Sequence, residues 1–152
     1  ANNDPAADYP AALLALGASI GTNKREIAAD AFFKGLFATA LDDGEIITRI
    51  SFPVPTKFAY MKFANPASKY ALVGVAVAQT GKEARVAVTG AGNDGAFRVP
   101  AMEAALAKSW SAQSLAGITL KPSDMLSDIH ADAAYRAHLV GVLAKRAVAK
   151  AG

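Results

Sequence analysis

Three groups of residues have types and spacings that could carry chemistry. The first is the run G-A-G-N-D-G at residues 90–95, which matches the G-x-G-x-x-G pattern of dinucleotide-binding loops. That pattern works when a helix begins inside the glycines and points its backbone amides at a pyrophosphate. Here Pro100 places the next helix start about five residues too late, and residues 109–117 supply no acidic side chain for a ribose. The run therefore predicts a plain glycine loop.

The second group contains the two histidines, His130 and His138, together with Asp128 and Asp132. Two histidines that bind one metal from a helix stand at i and i+4, a spacing that this pair does not have. A Ser–His–Asp centre is compatible with the spacing, but the chain contains no G-x-S-x-G turn. Because the helix dipole favours acidic residues at a helix start, the two carboxylates are predicted to serve that role.

The third group is acidic and basic residues beside aromatic ones. Lys62 shares one face of a predicted strand with Phe58 and Tyr60. A lysine among aromatic residues lies either at a sheet edge with its ammonium in water or aimed at an anion. Near the start of the chain, Asp4 and Asp8 are typical of turn and helix-cap residues. The residue types alone leave both alternatives open for Lys62.

The helices predicted to position these groups lie at both ends of the chain. Asp8 is expected to cap a short helix with Pro10 in its first turn and Gly17 at its end. Residues 28–37 have an aromatic stripe at helical spacing, which predicts a second helix. That stripe consists of Phe32, Phe33, Leu36 and Phe37. Pro100 begins a third helix, and residues 131–149 form the last.

Between the helices the apolar period changes from 3.6 to 2 at Gly44. Strands are expected at residues 45–53, 57–63, 70–78 and 84–90, with a turn at residues 80–82. Together they predict an antiparallel meander of three or four strands. The fold class is therefore α+β: residues 1–43 contain too few apolar residues for a domain, and residues 44–152 form a sheet followed by a helix bundle.

Composition limits the classes of function. The apolar fraction is 53% and the charged fraction 19%, so the chain can bury a core. A net charge of +3 is too small to argue for nucleic-acid binding. The absence of cysteine excludes disulfides, thiolate zinc sites and cysteine-ligated iron–sulfur clusters within these residues. The longest apolar run, residues 70–78, is too short for a membrane helix, which needs about 18 residues.

Taken in order, several segments resemble one family. They are D-P-x-x-D-x-P at residues 4–10, F-F-x-G-L-F at 32–37, E-I-I-T-x-I-x-F-P at 45–53 and Y-x-K-F at 60–63. The chain resembles the C-terminal portion of the FAD-binding medium subunit of molybdenum hydroxylases, the group of aerobic carbon monoxide dehydrogenase and xanthine dehydrogenase. The resemblance implies that residues 1–43 are the remnant of an FAD-binding domain and that residues 44–152 are the flavoprotein's C-terminal domain.

The same resemblance implies a set of cofactor-binding residues. It assigns Asp8 to FAD, Ile47 to an apolar or backbone contact, and Lys62 to the vicinity of the flavin. Tyr70 matches an aromatic residue that covers the flavin ring, and Asn2 matches an Asn near the cofactor. We expect Lys62 and Tyr70 to face one open cleft. The sequence departs from several family members at Ser68-Lys69, where they have Gly-Asp, so a base replaces an acid beside the expected flavin.

The function implied by the resemblance is electron transfer. Electrons would pass from a molybdenum cofactor-binding large subunit through an iron–sulfur small subunit to FAD, and then to an acceptor, in the cytoplasm. The glycine-rich pyrophosphate loop and the T-x-G-G stretch of the family are not in this sequence, so the chain resembles a fragment that holds FAD weakly or not at all. The alternative is a non-catalytic α+β interaction module with an apolar sheet face and no cofactor of its own.

Overall fold

The computed structural model describes residues 1–152 and has the predicted α+β architecture. The strands are β1 (Ser19–Thr22), β2 (Glu26–Ala28), β3 (Phe33–Gly35), β4 (Ala38–Thr39), β5 (Ile47–Ser51), β6 (Lys57–Ala64), β7 (Ala71–Thr80), β8 (Glu83–Thr89) and β9 (Phe97–Arg98). The helices are α1 (Asp8–Ala15), α2 (Ala29–Phe32), α3 (Pro100–Lys108) and α4 (Ala133–Ala151), with two short 3₁₀ turns between α3 and α4.

The predicted meander forms the centre of the molecule. Its strand order is β6-β7-β8-β9, and all neighbours are antiparallel. The first eight residues of β7 are buried, because both faces of this central strand are covered. Val73, Val75 and Val77 point to the face beneath α3 and α4, where they join the larger apolar core. Ala76 and Ala78 point to the opposite face, beneath α1.

The strand predicted at residues 45–53 exists, but its predicted place in the meander is wrong. β5 pairs with β1, in register from Ser51 opposite Ser19, and closes a separate three-stranded sheet of order β2-β1-β5. Sequence periodicity identifies a strand but not its partner. Pro53 and Pro55 interrupt the chain before β6 and allow it to change sheets.

The helix predicted over residues 28–37 is also wrong beyond its first turn. α2 ends at Phe32, and residues 33–39 form the two-stranded β3–β4 hairpin. Gly35 and Phe37 have φ values of 147° and 55°, which no right-handed helix accommodates. The Asn3 side chain donates to the carbonyls of Gly35 and Ala38, so a tertiary contact overrides the local helical pattern.

The remaining helices follow the prediction. α3 begins at Pro100 and buries Met102 and Leu106, and α4 buries Leu139, Leu143 and Ala147 against the sheet. Tyr135, near the start of α4, is 43% exposed and packs edge-on against Phe63. No helix combines the length and apolarity needed to cross a membrane.

Candidate functional site

The candidate site lies where the start of α1 meets β6. The N-cap of α1 is Ala7, and no side chain caps this helix, so the predicted capping role of Asp8 is wrong. Asp8 is instead the first helical residue, and its carboxylate crosses to the central sheet. Residues more than fifty positions apart in the sequence therefore converge here.

The Asp8 carboxylate accepts one hydrogen bond at each oxygen. The hydroxyl of Tyr60 donates to Oδ1, and the ammonium of Lys62 donates to Oδ2 at 2.8 Å. Tyr60 and Lys62 are alternate residues of β6, so they point to the same face of the sheet, as the sequence predicted. The structure thus brings together two of the predicted cofactor-binding residues, Asp8 and Lys62.

The site is open to solvent, and the Asp8 carboxylate is held in place by its two hydrogen-bond donors. The side chains of Asp8 and Lys62 are 48% and 27% exposed, respectively. A carboxylate has about four acceptor positions, and Asp8 uses two, so the exposed remainder is free for a ligand. Burial, followed by the hydrogen bond to Asp8 and its negative charge, raises the pKa of Tyr60 well above its usual value. The phenol therefore stays a neutral donor at physiological pH.

The segment that precedes Asp8 is hydrogen-bonded to the end of β8. The hydroxyl of Thr89 on β8 is buried and lies 2.6 Å from the carbonyl of Ala7 and 3.1 Å from that of Pro5. The amide of Gly90 donates to Pro5 at 2.7 Å. Thr89 was not singled out from the sequence, because a lone threonine in an apolar strand has no pattern that distinguishes it.

Tyr70 lines a neighbouring cleft of about 240 Å³. Tyr70 is 61% exposed, and Pro5 and Ala6, which precede Asp8, also line the cleft. Lys62 does not line this cleft, so the predicted cleft shared by Lys62 and Tyr70 is not found. Before Tyr70, Lys69 adopts a left-handed conformation with φ of 64°, and its ammonium donates to the carbonyl of Pro66.

The other two predicted cofactor-binding residues lie apart from the Asp8 carboxylate. Asn2 is exposed and makes no side-chain hydrogen bond, whereas its neighbour Asn3 is buried and supports the β3–β4 hairpin. Ile47 is half-buried on β5 and packs against the apolar cluster beneath α1. Their assignment to the cofactor stays a prediction.

Of the two acidic residues near the histidines, Asp132 lies at the start of α4, as predicted, whereas Asp128 lies in the loop before it. Asp132 accepts from the amide of Tyr135 and caps α4. Asp128 accepts from the amides of His130 and Ala131 and from the guanidinium of buried Arg136. Although desolvation opposes it, this set of donors holds the pKa of Asp128 below its usual value.

The glycine run at residues 90–95 forms a loop, and α3 begins only at Pro100, which confirms the predicted glycine loop. Gly90 has a φ of 79°, and a side chain there would meet the backbone oxygen of Ala71 at 2.5 Å. Gly90 therefore serves close backbone approach to the start of β7. No nucleotide-binding helix start follows the run.

Comparison with known families matches two successive parts of the chain. Residues 1–55 match the FAD binding domain in molybdopterin dehydrogenase, and residues 58–151 match the CO dehydrogenase flavoprotein C-terminal domain. Because the second match covers more than half of the chain, the chain belongs to this flavoprotein family. The recognition predicted from the sequence motifs is confirmed, and the first match supports FAD as the cofactor.

The relatives include medium subunits of a nicotine 6-hydroxylase and of carbon monoxide dehydrogenase. The nicotine 6-hydroxylase medium subunit of Paenarthrobacter nicotinovorans is 33% identical over 100% of this chain and 58% of its own length. The carbon monoxide dehydrogenase medium chain of Afipia carboxidovorans is 31% identical over 99% of this chain and 58% of its own. The solved structure of reconstituted CO dehydrogenase from Oligotropha carboxidovorans superimposes with a TM-score of 0.82 at 29% identity, covering 99% of this chain and 58% of that one. The chain thus spans a little over half the length of these relatives.

Proposed function

We propose that this chain forms one wall of the FAD site in the medium subunit of a molybdenum hydroxylase. The observation that carries the proposal is the Asp8–Lys62 ion pair, because Asp8 lies in the part matching the FAD-binding domain and Lys62 in the part matching the flavoprotein C-terminal domain. Two separately matched segments thus meet at two charged side chains that remain partly exposed.

The residues present suit the cofactor. The unused acceptor positions of Asp8 match the hydroxyl groups of a ribityl or ribose chain, and the Lys62 ammonium matches a carbonyl oxygen or a negative charge on a flavin. Tyr70 offers an exposed aromatic face on which a planar ring can stack. When bound, FAD supplies the capacity to accept electrons and pass them on. The role of the chain is to orient the cofactor and compensate its charge.

The proposed partners follow from the same family. We propose that a large subunit binds the molybdenum cofactor and that a small subunit carries iron–sulfur clusters, from which electrons reach FAD and then an acceptor. The absence of cysteine and of any cluster of three or more His, Asp or Glu side chains suited to a metal is compatible with metal centres on other subunits. A cytoplasmic location stays a prediction.

We further propose that the boundary between the two units lies within residues 52–56 rather than at residue 43. Strand β5 pairs with β1 of the first unit, and β6 begins the sheet of the second. The two family matches end and begin at residues 55 and 58. Limited proteolysis that cuts first within residues 52–56 supports this boundary, and preferential cleavage near residue 43 contradicts it.

The test of the function is FAD retention. A complete subunit, in which this chain follows the phosphate-binding half implied by the family, is expected to purify with about one FAD per chain. Asp8→Asn and Lys62→Met should each weaken FAD binding at least about tenfold, since each removes a charge-assisted contact. Lys82→Met, in the exposed β7–β8 turn, is the matched control and should leave binding unchanged.

Two results would contradict the proposal. One is a complete subunit that folds but binds no FAD. The other is FAD affinity that neither site variant changes. This chain alone is expected to hold FAD weakly, so stoichiometric FAD in the isolated chain would show that the phosphate-binding half is not needed.

The alternative of a non-catalytic interaction module gains no support from the sheet. That alternative expected an apolar sheet face open to a partner. In the structure, residues 71–78 of the central strand are buried, beneath α1 on one face and α4 on the other.

A further inference from the structure

We infer that Tyr60 is a positioning residue of the proposed flavin site, which orients the Asp8 carboxylate through its hydroxyl, and that Gly74 provides the space for its ring. This inference rests on the proposed function, because it assumes that Asp8 contacts FAD. It adds a residue that neither the motifs nor the family resemblance assigned to the site.

The geometry around Asp8 defines what Tyr60 does. With one donor at each oxygen, the carboxylate cannot turn about its Cβ–Cγ bond without losing either the Tyr60 or the Lys62 hydrogen bond. Tyr60 and Lys62 together therefore fix the plane of the carboxylate, because each holds one of its two equivalent oxygens. A lysine alone would not do so, since its flexible stem can follow either oxygen.

The absence of a side chain at Gly74 leaves the space that the Tyr60 ring occupies. Lys62, Gly74 and Thr89 are register partners across β6, β7 and β8. A Cβ atom on Gly74 would lie 2.2 Å from the Tyr60 hydroxyl oxygen and 2.8 Å from Cζ. Gly74 has no positive φ, so its backbone does not require glycine. Glycine is needed here because the rigid Tyr60 ring lies directly over β7 at this position.

Thr89 completes the arrangement from the other side. Its hydroxyl and the amide of Gly90 hold the carbonyls of Pro5 and Ala7, the residues that lead into Asp8. The backbone before Asp8 is thus fixed by β8, and the side chain of Asp8 is fixed by β6. Both constraints come from the C-terminal sheet, although Asp8 itself belongs to the N-terminal unit.

The protonation of Tyr60 distinguishes positioning from proton transfer. Desolvation and the neighbouring Asp8 raise its pKa well above the usual value, so the phenol does not release its proton under working conditions. A group that keeps its proton can orient a carboxylate but cannot serve as a base. Because its one hydroxyl hydrogen is donated to Asp8, Tyr60 acts in this arrangement by holding that carboxylate.

The first test is a double-mutant cycle on FAD affinity in the complete subunit, using Tyr60→Phe and Asp8→Asn. Tyr60→Phe keeps the ring and removes only the hydroxyl, and it should weaken FAD binding roughly tenfold. In the Asp8→Asn background the same change should have less than about a twofold effect, because the carboxylate that it orients is gone. Tyr135→Phe, a tyrosine of α4 away from Asp8, is the matched control and should leave affinity unchanged.

The outcomes separate this inference from the proposed function. If Asp8→Asn weakens binding but Tyr60→Phe does not, the inference is wrong and the FAD site stands. If Tyr60→Phe weakens binding equally in both backgrounds, its role is structural and the inference is again wrong. If Asp8→Asn has no effect, the proposed function itself fails at this residue.

A second test needs no cofactor. The chain has four tyrosines, and Tyr9, Tyr70 and Tyr135 are each at least 43% exposed. Because burial and Asp8 raise the pKa of Tyr60, alkaline titration followed by phenolate absorbance should show one transition above the usual tyrosine range that is absent in Tyr60→Phe. Asp8→Asn should bring that transition to lower pH, because it removes the negative charge beside the phenol. An unchanged transition in Asp8→Asn would show that the two groups are not in contact.

Discussion

Two carboxylates of the N-terminal unit, Glu45 and Asp8, have opposite surroundings. The Glu45 side chain is fully buried and accepts hydrogen bonds from Arg25, from the hydroxyl of Thr22 and from the amide of Asp42. Asp8 is half-exposed and accepts only two. Nothing is left for a ligand at Glu45, whereas Asp8 keeps free acceptor positions. The comparison indicates that a carboxylate whose acceptor positions are all used stabilises the fold, whereas one with free acceptor positions can form a site.

Two residues with left-handed backbone, Gly44 and Lys69, show a similar contrast. Gly44, which precedes Glu45, supplies a φ of 69° at no steric cost. Lys69, which precedes Tyr70 at the cleft, has a φ of 64° with a full side chain. The left-handed residue beside Glu45 is therefore a glycine without strain, whereas the one beside Tyr70 keeps a side chain and the strain that comes with it.

The largest expected effect is a loss of thermal stability when the buried Glu45 carboxylate is removed. Glu45→Ala removes two carboxylate acceptors from the Arg25 guanidinium, which keeps only the Ala40 carbonyl and Asp42. It also removes the carboxylate to which the Thr22 hydroxyl donates. We expect Tm to fall by roughly 5–10 °C. Differential scanning calorimetry measures it against Glu26→Ala, a surface ion pair of the same sheet, which should change Tm by less than about 3 °C. Equal Tm shifts in Glu45→Ala and Glu26→Ala would contradict the contrast between a buried, fully hydrogen-bonded carboxylate and an exposed one.

The second prediction concerns acid. The hydrogen bonds from Arg25, the Asp42 amide and Thr22 lower the pKa of Glu45 to about 2. Because the folded pKa lies below the unfolded one, ionised Glu45 contributes its full stability above about pH 4.5 and loses it as the pH falls toward about 2. Urea titrations should show the stability difference between the native chain and Glu45→Gln shrinking across that window. A constant difference would mean that Glu45 has an ordinary pKa.

The third prediction tests the two left-handed residues. Gly44→Ala has open space for its Cβ, so it introduces backbone strain alone and should destabilise the chain by about 1–2 kcal/mol. Lys69→Gly relieves strain at the equivalent conformation and should stabilise by less than about 1 kcal/mol, since glycine also gains entropy when unfolded. Urea unfolding of both variants measures the signs. Destabilisation by Lys69→Gly would show that its side chain contributes more than its backbone costs.

The smallest effect on stability is expected at the open site itself. Lys62→Met removes a partly exposed ion pair and should change unfolding free energy by less than about 1 kcal/mol, although it weakens FAD binding. Chemical denaturation of the chain without cofactor provides the measurement. A loss comparable to that of Glu45→Ala would place Asp8 and Lys62 among the structural contacts and remove the distinction.

Much of the local structure was predictable, and the exceptions have particular causes. Period-2 alternation located β6 and placed Tyr60 and Lys62 on one face, and β7 was located as a continuous apolar run. The aromatic stripe at residues 32–37 has helical spacing, but Asn3 and a left-handed Phe37 turn it into a hairpin. Gly74 could have been noticed as an isolated glycine in an apolar strand, a sign of close approach. The partner that approaches it could not be identified, because contact across strands is not a local property.

The sequence by itself determined the α+β class, the order of its elements, the family and the candidate residues Asp8 and Lys62, because burial periodicity and short motifs are properties of neighbouring residues. Only the tertiary structure decided that β5 joins β1, that the Asp8 side chain reaches Tyr60 and Lys62, and that every acceptor position of Glu45 is used. These outcomes depend on which distant segments pack together, and packing is settled by the whole core rather than by any one stretch of chain.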